Sequence, residues 1–140
     1  MCRHKKARGF SLVELLLVLA IIGIISGIAI PAYLGQRRRA RVVGDAQTNA
    51  EVLRMMLEAR KAENGIYGTA GTYTWTNGTP TAEAAAFLPG FMTKGNSRMN
   101  FEIKVITGQT YELTVFDPSI SNTTVAFKTN QSGEVLDKLK

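Results

Sequence analysis

The sequence predicts an α+β fold: a long N-terminal α-helix whose second half packs on a small antiparallel sheet of three to four strands. Three observations lead to this prediction. Residues 15–36 are almost entirely apolar and carry no charge. Residues 42–57 place apolar side chains at helical spacing, and residues 101–136 contain short segments of alternating apolar and polar side chains. A sheet with one apolar face needs a cover, which the stripe of the long helix provides.

The long helix is expected over residues 10–64, with residues 10–36 as its most apolar part. Its second part carries a single apolar stripe typical of a helix that covers a core. The stripe consists of Val42, Ala46, Ala50, Leu53 and Leu57. Asn64-Gly65 marks the end of the helix, because glycine readily takes the left-handed conformation that stops one.

A connection rich in Gly, Thr, Asn and Pro is expected over residues 66–98, between the helix and the sheet. Its segment TYTWTNGT alternates aromatic and polar residues before an Asn-Gly turn signal. Its segment PTAEAAAFLPG predicts a short helix that Pro89-Gly90 stops. Because the connection is longer than most loops, we expect it either to cover the sheet or to serve in recognition.

Strands are predicted in the head, residues 65–140, where the chain alternates with a period of two. In FEIKVI, Phe101, Ile103 and Val105 are expected to point inward while the charged side chains point outward. The segments YELTVF and TVAFKT repeat the pattern, and QSGEVL adds a short edge strand. These segments form an antiparallel meander within residues 101–136.

The net charge of +6 is concentrated near the start of the chain. Four basic residues lie in the first nine positions, and without them 13 basic residues stand against 11 acidic ones. The four are Arg3, Lys5, Lys6 and Arg8. The remainder is therefore only weakly basic, and nucleic acid is not the expected partner. Cys2 and His4 are the one cysteine and the one histidine, which excludes an internal disulfide and a histidine-based site in residues 10–140.

The apolar segment has three interpretations. It is longer than the apolar core of a secretory signal peptide, about 7–15 residues, and no clean small-residue cleavage pattern follows it. An ordinary single-pass anchor explains its length, since about 20 apolar residues cross a bilayer. Neither interpretation explains Glu14, because a carboxylate in an apolar helix is costly and is retained where a positive group meets it. The nearest such group would be a new α-amino group, created by cutting the chain between Gly9 and Phe10.

The segment KKARGFSLVELLLVLAIIGIISGIAIPAYLG resembles the N-terminal signature of type IV pilins and of type II secretion pseudopilins. The resemblance implies that residues 1–9 are a leader removed by a prepilin peptidase, and that Phe10 is then N-methylated. It also implies that Glu14 pairs with the Phe10 amine of a neighbouring subunit, and that the helix bends or locally melts at Pro31. ENGIYG resembles the motif that closes this helix in the family, with Gly68 where proline is usual.

Two further features bear on assembly. Gly23 and Gly27 form a G-x-x-x-G spacing that lets helices approach closely in lipid. The arginine cluster (Arg37, Arg38, Arg39 and Arg41) follows the apolar segment directly. Its arginines are expected to contact anionic lipid headgroups or acidic groups of another subunit. Because basic residues flank both ends of the segment, charge alone does not set its orientation.

The sequence predicts no enzyme and no cofactor. It has no glycine-rich phosphate loop and no paired histidines or cysteines. Asp117, Ser119 and Asn122 form an oxygen-rich group in a loop, but one carboxylate is poor for a calcium ion that takes 6–8 oxygens. A turn begun by Asp117-Pro118 is the preferred interpretation, and no metal site is expected.

The expected function is that of a structural subunit of a type IV pilus-like filament, polymerised with identical copies from the inner membrane. The resemblance implies a cytoplasmic leader, a periplasmic head and later an extracellular or periplasmic filament. It further implies an assembly platform in the inner membrane and a separate ATPase as partners, with lipid around the helix before assembly. Two alternatives stay open: a pseudopilin of type II secretion, and an anchored binding protein that does not polymerise.

Overall fold

The computed structural model describes residues 9–93 and 98–140, and separates the chain into two compact units with a boundary after Arg37. Two helices and six strands are found in the described residues. They are α1 Leu12–Asn64, β1 Gly71–Thr76, β2 Thr79–Pro80, α2 Ala82–Phe87, β3 Asn100–Thr107, β4 Thr110–Phe116, β5 Val125–Asn130 and β6 Val135–Lys138. The predicted α+β class, a long N-terminal helix packed on an antiparallel sheet, is confirmed.

Both ends of α1 follow from local chemistry. The helix begins at Leu12, two residues after the expected start, because Ser11 occupies the capping position. The Ser11 hydroxyl oxygen accepts a hydrogen bond from the Val13 N–H at 3.3 Å. At the other end, Gly65 takes a left-handed φ of 77° and its N–H donates to the Lys61 carbonyl at 2.7 Å.

The first unit consists, in its described part, of the apolar start of α1. Its side chains are exposed almost throughout, and Leu12 and Ile28 are each 75% exposed. Among the described residues, α1 is the helix long and apolar enough to cross a membrane, and its most apolar window buries none of its residues. A soluble helix does not leave so much apolar surface in water, so this surface requires lipid or a protein partner.

The second unit is built on a six-stranded antiparallel sheet with the strand order β2-β1-β3-β4-β5-β6. Strands β3 to β6 form a meander, while β1 and β2 form a hairpin that joins the sheet beside β3. The chain passes from β2 through α2 before it returns to β3. Strand β2 has two residues and β6 has four, so both edges of the sheet are short.

The sheet exceeds the expected three to four strands because TYTWTNGT belongs to it and not to a loop. Asn77 and Gly78 have φ values of 51° and 75°, and this pair of positive angles defines the type I′ turn of a two-residue hairpin. Thr76 pairs with Thr79 across that turn. Trp75 is 1% exposed and pairs with Phe101 of β3, which anchors the hairpin in the core.

The core lies between the second half of α1 and one face of the sheet. All five residues of the expected helical stripe are buried, and so are the expected inward side chains of β3. Strand β4 contributes Tyr111, Leu113 and Val115, which are fully buried with the same alternation. Burying each of these large side chains stabilises the fold by about 1.5–3 kcal/mol relative to exposure.

Helix α2 closes one end of the core. It begins where Thr81 accepts a hydrogen bond from the Ala84 N–H through its hydroxyl oxygen, at 3.3 Å. Its last residue, Phe87, is buried and stacks on Tyr73 with a ring separation of 3.8 Å. The expected stop at Pro89-Gly90 lies just beyond, where Gly90 has a φ of 85°.

Candidate assembly site

Glu14 lies in the first turn of α1, and its carboxylate caps the helix on which it sits. Its Oε2 accepts a hydrogen bond from the Ser11 N–H at 2.8 Å. With the Ser11 side chain bonded to Val13, this arrangement is a capping box, in which serine and a glutamate three residues later satisfy free N–H groups at the helix start. The positive end of the helix dipole adds to the stabilisation of the carboxylate. The Ser-Leu-Val-Glu spacing could have revealed this role in the sequence.

Gly9 and Phe10 precede the capping box and are exposed, Phe10 at 85%. Phe10 and Glu14 border the same shallow hollow in the first unit, together with Leu15, Leu17 and Val18. The hollow is apolar apart from the carboxylate. The peptide bond between Gly9 and Phe10 is therefore accessible, and the Glu14 carboxylate lies about one helical turn further along the chain.

Gly23 and Gly27 leave open space on α1. A β-carbon built on either glycine would meet no atom within 4 Å. The described part of the chain therefore supplies no neighbour that requires these glycines. Pro31 lies inside α1, and the helix continues on both sides of it. The bend expected at Pro31 stays a prediction.

The four members of the arginine cluster differ in the contacts they make. Arg38 donates through Nη2 to the Ser119 carbonyl at 2.9 Å, and Arg39 donates through Nη1 to the main-chain oxygen of Lys140 at 3.1 Å. Arg37 and Arg41 are exposed, and neither forms a hydrogen bond or ion pair with the residues that the structure describes. Sequence reasoning treated the four residues alike, because no local pattern reveals a contact some 80 to 100 residues away.

Asp117 organises a turn. Its Oδ1 accepts from the Ser119 N–H at 2.7 Å, and its carbonyl accepts from Ile120 and Ser121 at 3.0 Å. Asn122 is exposed. Within residues 9–93 and 98–140, no group of three or more His, Cys, Asp or Glu residues is placed to hold a metal ion. The chemistry of this loop is that of an Asx turn.

Arg60 is an important polar residue that the sequence analysis missed. Its Nε donates to the Tyr67 carbonyl at 2.9 Å and its Nη1 donates to the Phe87 carbonyl at 2.7 Å. Its guanidinium also lies 4.8 Å from the centre of the Phe87 ring. A single side chain thus ties the second half of α1 to the segment that follows the helix and to the end of α2.

Tyr67, in the motif ENGIYG, anchors the same segment. Its hydroxyl donates to Glu58 Oε1 at 2.7 Å, and its ring packs edge-on against Tyr111 at 4.8 Å. Burial raises the pKa of Tyr67, and the hydrogen bond to the Glu58 carboxylate raises the pKa further. Burial also raises the pKa of Tyr111, against the opposite effect of the Arg54 guanidinium.

Gly68 follows Tyr67, and the Phe87 ring occupies the space that a side chain at residue 68 would need. A β-carbon at residue 68 would overlap Phe87 Cε2. The close approach of this ring explains why glycine stands here, where the family resemblance leads one to expect proline. Tyr73 on β1 holds the ring in this position by stacking on it.

Comparison with known proteins identifies one family over the N-terminal segment. Residues 4–30 match the prokaryotic N-terminal methylation motif. The match includes Gly9, Phe10 and Glu14 and ends one residue before Pro31. The predicted resemblance to the type IV pilin family is confirmed.

Several curated proteins are similar to the chain. It is 32% identical over 90 residues to the type IV major fimbrial protein FimA of Dichelobacter nodosus, covering 59% of this chain and 56% of that protein. It is 43% identical over 58 residues to a fimbrial protein of Moraxella nonliquefaciens, covering 41% and 36%. It is 49% identical over 43 residues to the prepilin peptidase-dependent protein D of Escherichia coli K12, covering 31% and 30%.

These matches span between about a third and just over half of the length of the relatives concerned. No solved structure matches the chain. The family match over residues 4–30 covers the candidate assembly site.

Proposed function

We propose that this chain, which resembles the type IV pilins in its N-terminal segment, is a structural subunit of a type IV pilus-like filament. The observation that carries the proposal is the exposed apolar surface of the first unit, which begins with a single carboxylate, Glu14. The cap on α1 stabilises the carboxylate but supplies no opposite charge, and apolar lipid tails supply none either. A filament of copies explains both features, because neighbouring helices cover the surface and a neighbouring amine meets the carboxylate.

Processing supplies the amine. A prepilin peptidase cuts between Gly9 and Phe10, and the new α-amino group of Phe10 is N-methylated. The methylated amine keeps a positive charge near neutral pH. The exposure of both residues supports the proposal, since a protease must reach the backbone from outside. Gly9 also leaves no side chain to obstruct close binding of that backbone.

Assembly exchanges lipid for protein. Before assembly, residues 10–36 lie in the inner membrane as a single-pass helix, with the leader cytoplasmic and the head periplasmic. During assembly the helices of other copies replace the lipid, and Glu14 pairs with the Phe10 amine of a neighbour, which fixes their stagger. Gly23 and Gly27 allow close helix packing, and Pro31 provides the point at which the helix adapts.

The remaining proposed partners follow from the passage of the subunit out of the membrane into the filament. A separate ATPase and a platform in the inner membrane drive extraction, since the chain presents no nucleotide-binding pattern of its own. We propose that the subunit is not an enzyme and needs no cofactor. The apolar helix and the fimbrial relatives indicate a protein that is anchored in a membrane first and associated with a pilus later.

A pseudopilin of type II secretion is the second candidate, and one observation favours it. Cys2 is the one cysteine of the chain and lies in the proposed leader, so the processed subunit cannot form the disulfide that closes the C-terminal region of many surface pilins. The genes beside this one would separate the candidates, since a retraction ATPase accompanies pili and a secretin operon accompanies secretion.

The role of Glu14 is tested by Glu14→Ala. We expect the variant to insert into the membrane normally and to be cut normally, but to give at least tenfold fewer sheared filaments than the parent chain. The matched control is Glu63→Ala, which removes an exposed carboxylate of the second unit that forms no ion pair with the described residues. Normal filament yield from Glu14→Ala would refute the proposed assembly mechanism. A parent chain that is cut and stable but never polymerises would instead favour an anchored binding protein.

Cleavage is tested by replacing Gly9 with leucine. The bulky side chain blocks close binding of the backbone by the peptidase, so the full-length precursor should accumulate in the membrane. Intact-mass measurement would show a mass unchanged from that of the precursor, whereas the parent chain loses residues 1–9. Processing of Gly9→Leu at the parental rate would contradict the proposed cleavage position.

A further inference from the structure

The arginine cluster carries an inference of its own, because its four members do not share one environment. We propose that two of them have a structural role and that each of the other two binds lipid. Arg38 and Arg39 hold loops of the second unit, whereas Arg37 and Arg41 bind the phosphate groups of anionic phospholipids. This inference rests on the proposed function only in taking the residues before Arg37 as embedded in a membrane.

Arg38 fixes the turn between β4 and β5. The turn is already shaped by Asp117, whose carboxylate and carbonyl oxygens accept three main-chain hydrogen bonds. The Ser119 carbonyl remains available, and Arg38 donates to it at 2.9 Å. The guanidinium thereby links the start of the second unit's helix to a turn 81 residues further along the chain. Its charge strengthens the bond relative to a neutral donor.

Arg39 fixes the segment that follows β6. Leu139 is partly buried against the core, and its N–H donates to the Ala126 carbonyl of β5 at 3.1 Å. Arg39 donates to the main-chain oxygen of the next residue, Lys140, at 3.1 Å. Its hydrogen bond therefore lies directly beside an apolar contact that orders the same segment. A residue in this position stabilises the unit by holding its backbone.

Arg37 and Arg41 do not hold a loop of the second unit through a hydrogen bond of this kind. Both are exposed and make no hydrogen bond or ion pair with the described residues. Asp45 lies four residues beyond Arg41, a spacing at which helical ion pairs form, yet no ion pair joins them. Two guanidinium groups with free donors suit phosphate oxygens, which they bind in a bidentate manner.

The place of these two arginines in the chain selects lipid as the source of the phosphate. Residues 15–36 carry no charge, so Arg37 is the first charged residue after an apolar segment of bilayer-spanning length. Headgroup phosphates lie at that depth, and an arginine near an anionic membrane surface gains affinity from them. Acidic groups of another subunit would offer carboxylates instead, and the experiment below separates the two.

Two double variants with the same change in charge test the division. Full-length chain in neutral detergent is titrated with phosphatidylglycerol, with phosphatidylcholine as the neutral reference, and bound lipid is counted by native mass spectrometry. R37A/R41A should weaken phosphatidylglycerol binding by about 30-fold, and R38A/R39A by less than about threefold. The midpoint temperature of thermal unfolding should respond the other way. It should fall in R38A/R39A and stay unchanged in R37A/R41A.

Equal losses of phosphatidylglycerol affinity in the two variants would overturn the division, as would full affinity in R37A/R41A. If R37A/R41A keeps its lipid affinity but loses filaments, the pair serves another subunit and the inference is wrong. Should R38A/R39A fail to fold, the single variants R38A and R39A supply the same comparison. Because the titration uses unassembled chain, its result is independent of whether the parent polymerises, which the Glu14→Ala experiment decides.

Discussion

At the scale of single residues, Glu14 has two functions that follow one another. In the isolated chain its carboxylate accepts from the Ser11 N–H and caps α1. This cap makes the charge tolerable before a partner arrives. A carboxylate has a second oxygen, so in a filament the same group can pair with an amine while the cap remains. The sequence alone shows a charge that needs a partner, and the structure shows what holds it meanwhile.

The variant Glu14→Gln separates the capping function of the Glu14 side chain from its pairing with an amine. The amide oxygen can still accept from Ser11, so the start of α1 should remain helical, but the neutral side chain cannot pair with an amine. We therefore expect normal helix content by circular dichroism and a filament yield as low as in Glu14→Ala. Glu14→Asp keeps the charge and serves as the control. A normal yield from Glu14→Gln would show that capping, and not charge, is the essential contribution.

Gly68 permits a second prediction at this scale. In Gly68→Ala the added β-carbon would overlap Phe87 Cε2, so the ring must move away from Tyr73. We expect a loss of about 1–3 kcal/mol in the free energy of unfolding, as for other overpacked sites. Urea unfolding of the second unit within the full chain measures it. Gly71→Ala is the control, because its β-carbon would meet only ordinary contacts at 3.9 Å.

At the scale of secondary-structure elements, Arg60 holds two segments on the helix. Arg60→Ala removes hydrogen bonds to the carbonyls of Tyr67 and Phe87 and the contact with the Phe87 ring. We expect a loss of about 2–4 kcal/mol, since a charged donor contributes more than a neutral one. In Arg60→Lys a single amine cannot reproduce the two directions of the guanidinium, so most of the loss should persist. Recovery of full stability by lysine would contradict this account.

The buried tyrosines predict how the stability of the second unit depends on pH. Folding raises the pKa of Tyr67, so above about pH 10 the unfolded chain loses a proton that the folded chain retains. The stability contribution is complete below pH 10 and falls as the pH rises further. Tyr67→Phe should cost about 1 kcal/mol at pH 8, for the lost bond to Glu58, and should make the decline above pH 10 less steep. Chemical unfolding of parent and variant between pH 8 and 11 measures both effects.

Much of the secondary structure, and of which faces are buried, is predictable from the sequence. The helical stripe that begins at Val42 and the alternation in β3 specify which faces are buried, because burial follows a period of 3.6 or of two. The hairpin of β1 and β2 was not assigned to the sheet, although its Asn-Gly turn was recognised. An alternating segment reveals that it can form a strand, whereas its partner strand depends on contacts that are distant in sequence. The hydrogen bonds of Arg38, Arg39 and Arg60 were missed for the same reason.

At the scale of the whole molecule, the chain combines a first unit whose most apolar window buries none of its residues with a second unit that has a hydrophobic core. If assembly buries the first unit and its charge pair, filaments should resist salt, because ions screen only pairs that they can approach. We expect intact filaments in 1 M sodium chloride and release of subunits in a nonionic detergent, which replaces helix contacts in the way lipid does. Sedimentation followed by immunoblotting distinguishes the two results.

The central claim, that the Glu14 carboxylate meets the Phe10 amine of another copy, is tested most directly by solid-state nuclear magnetic resonance on mixed filaments. Half of the subunits carry ¹⁵N-labelled phenylalanine and the other half ¹³C-labelled glutamate, so that any transfer between the two labels crosses between copies. The account predicts transfer between the Phe10 nitrogen and the Glu14 carboxyl carbon, corresponding to an ion pair with an N–O distance of about 4 Å or less. Transfer that appears only when both labels are in one chain, or no transfer at all, would contradict it.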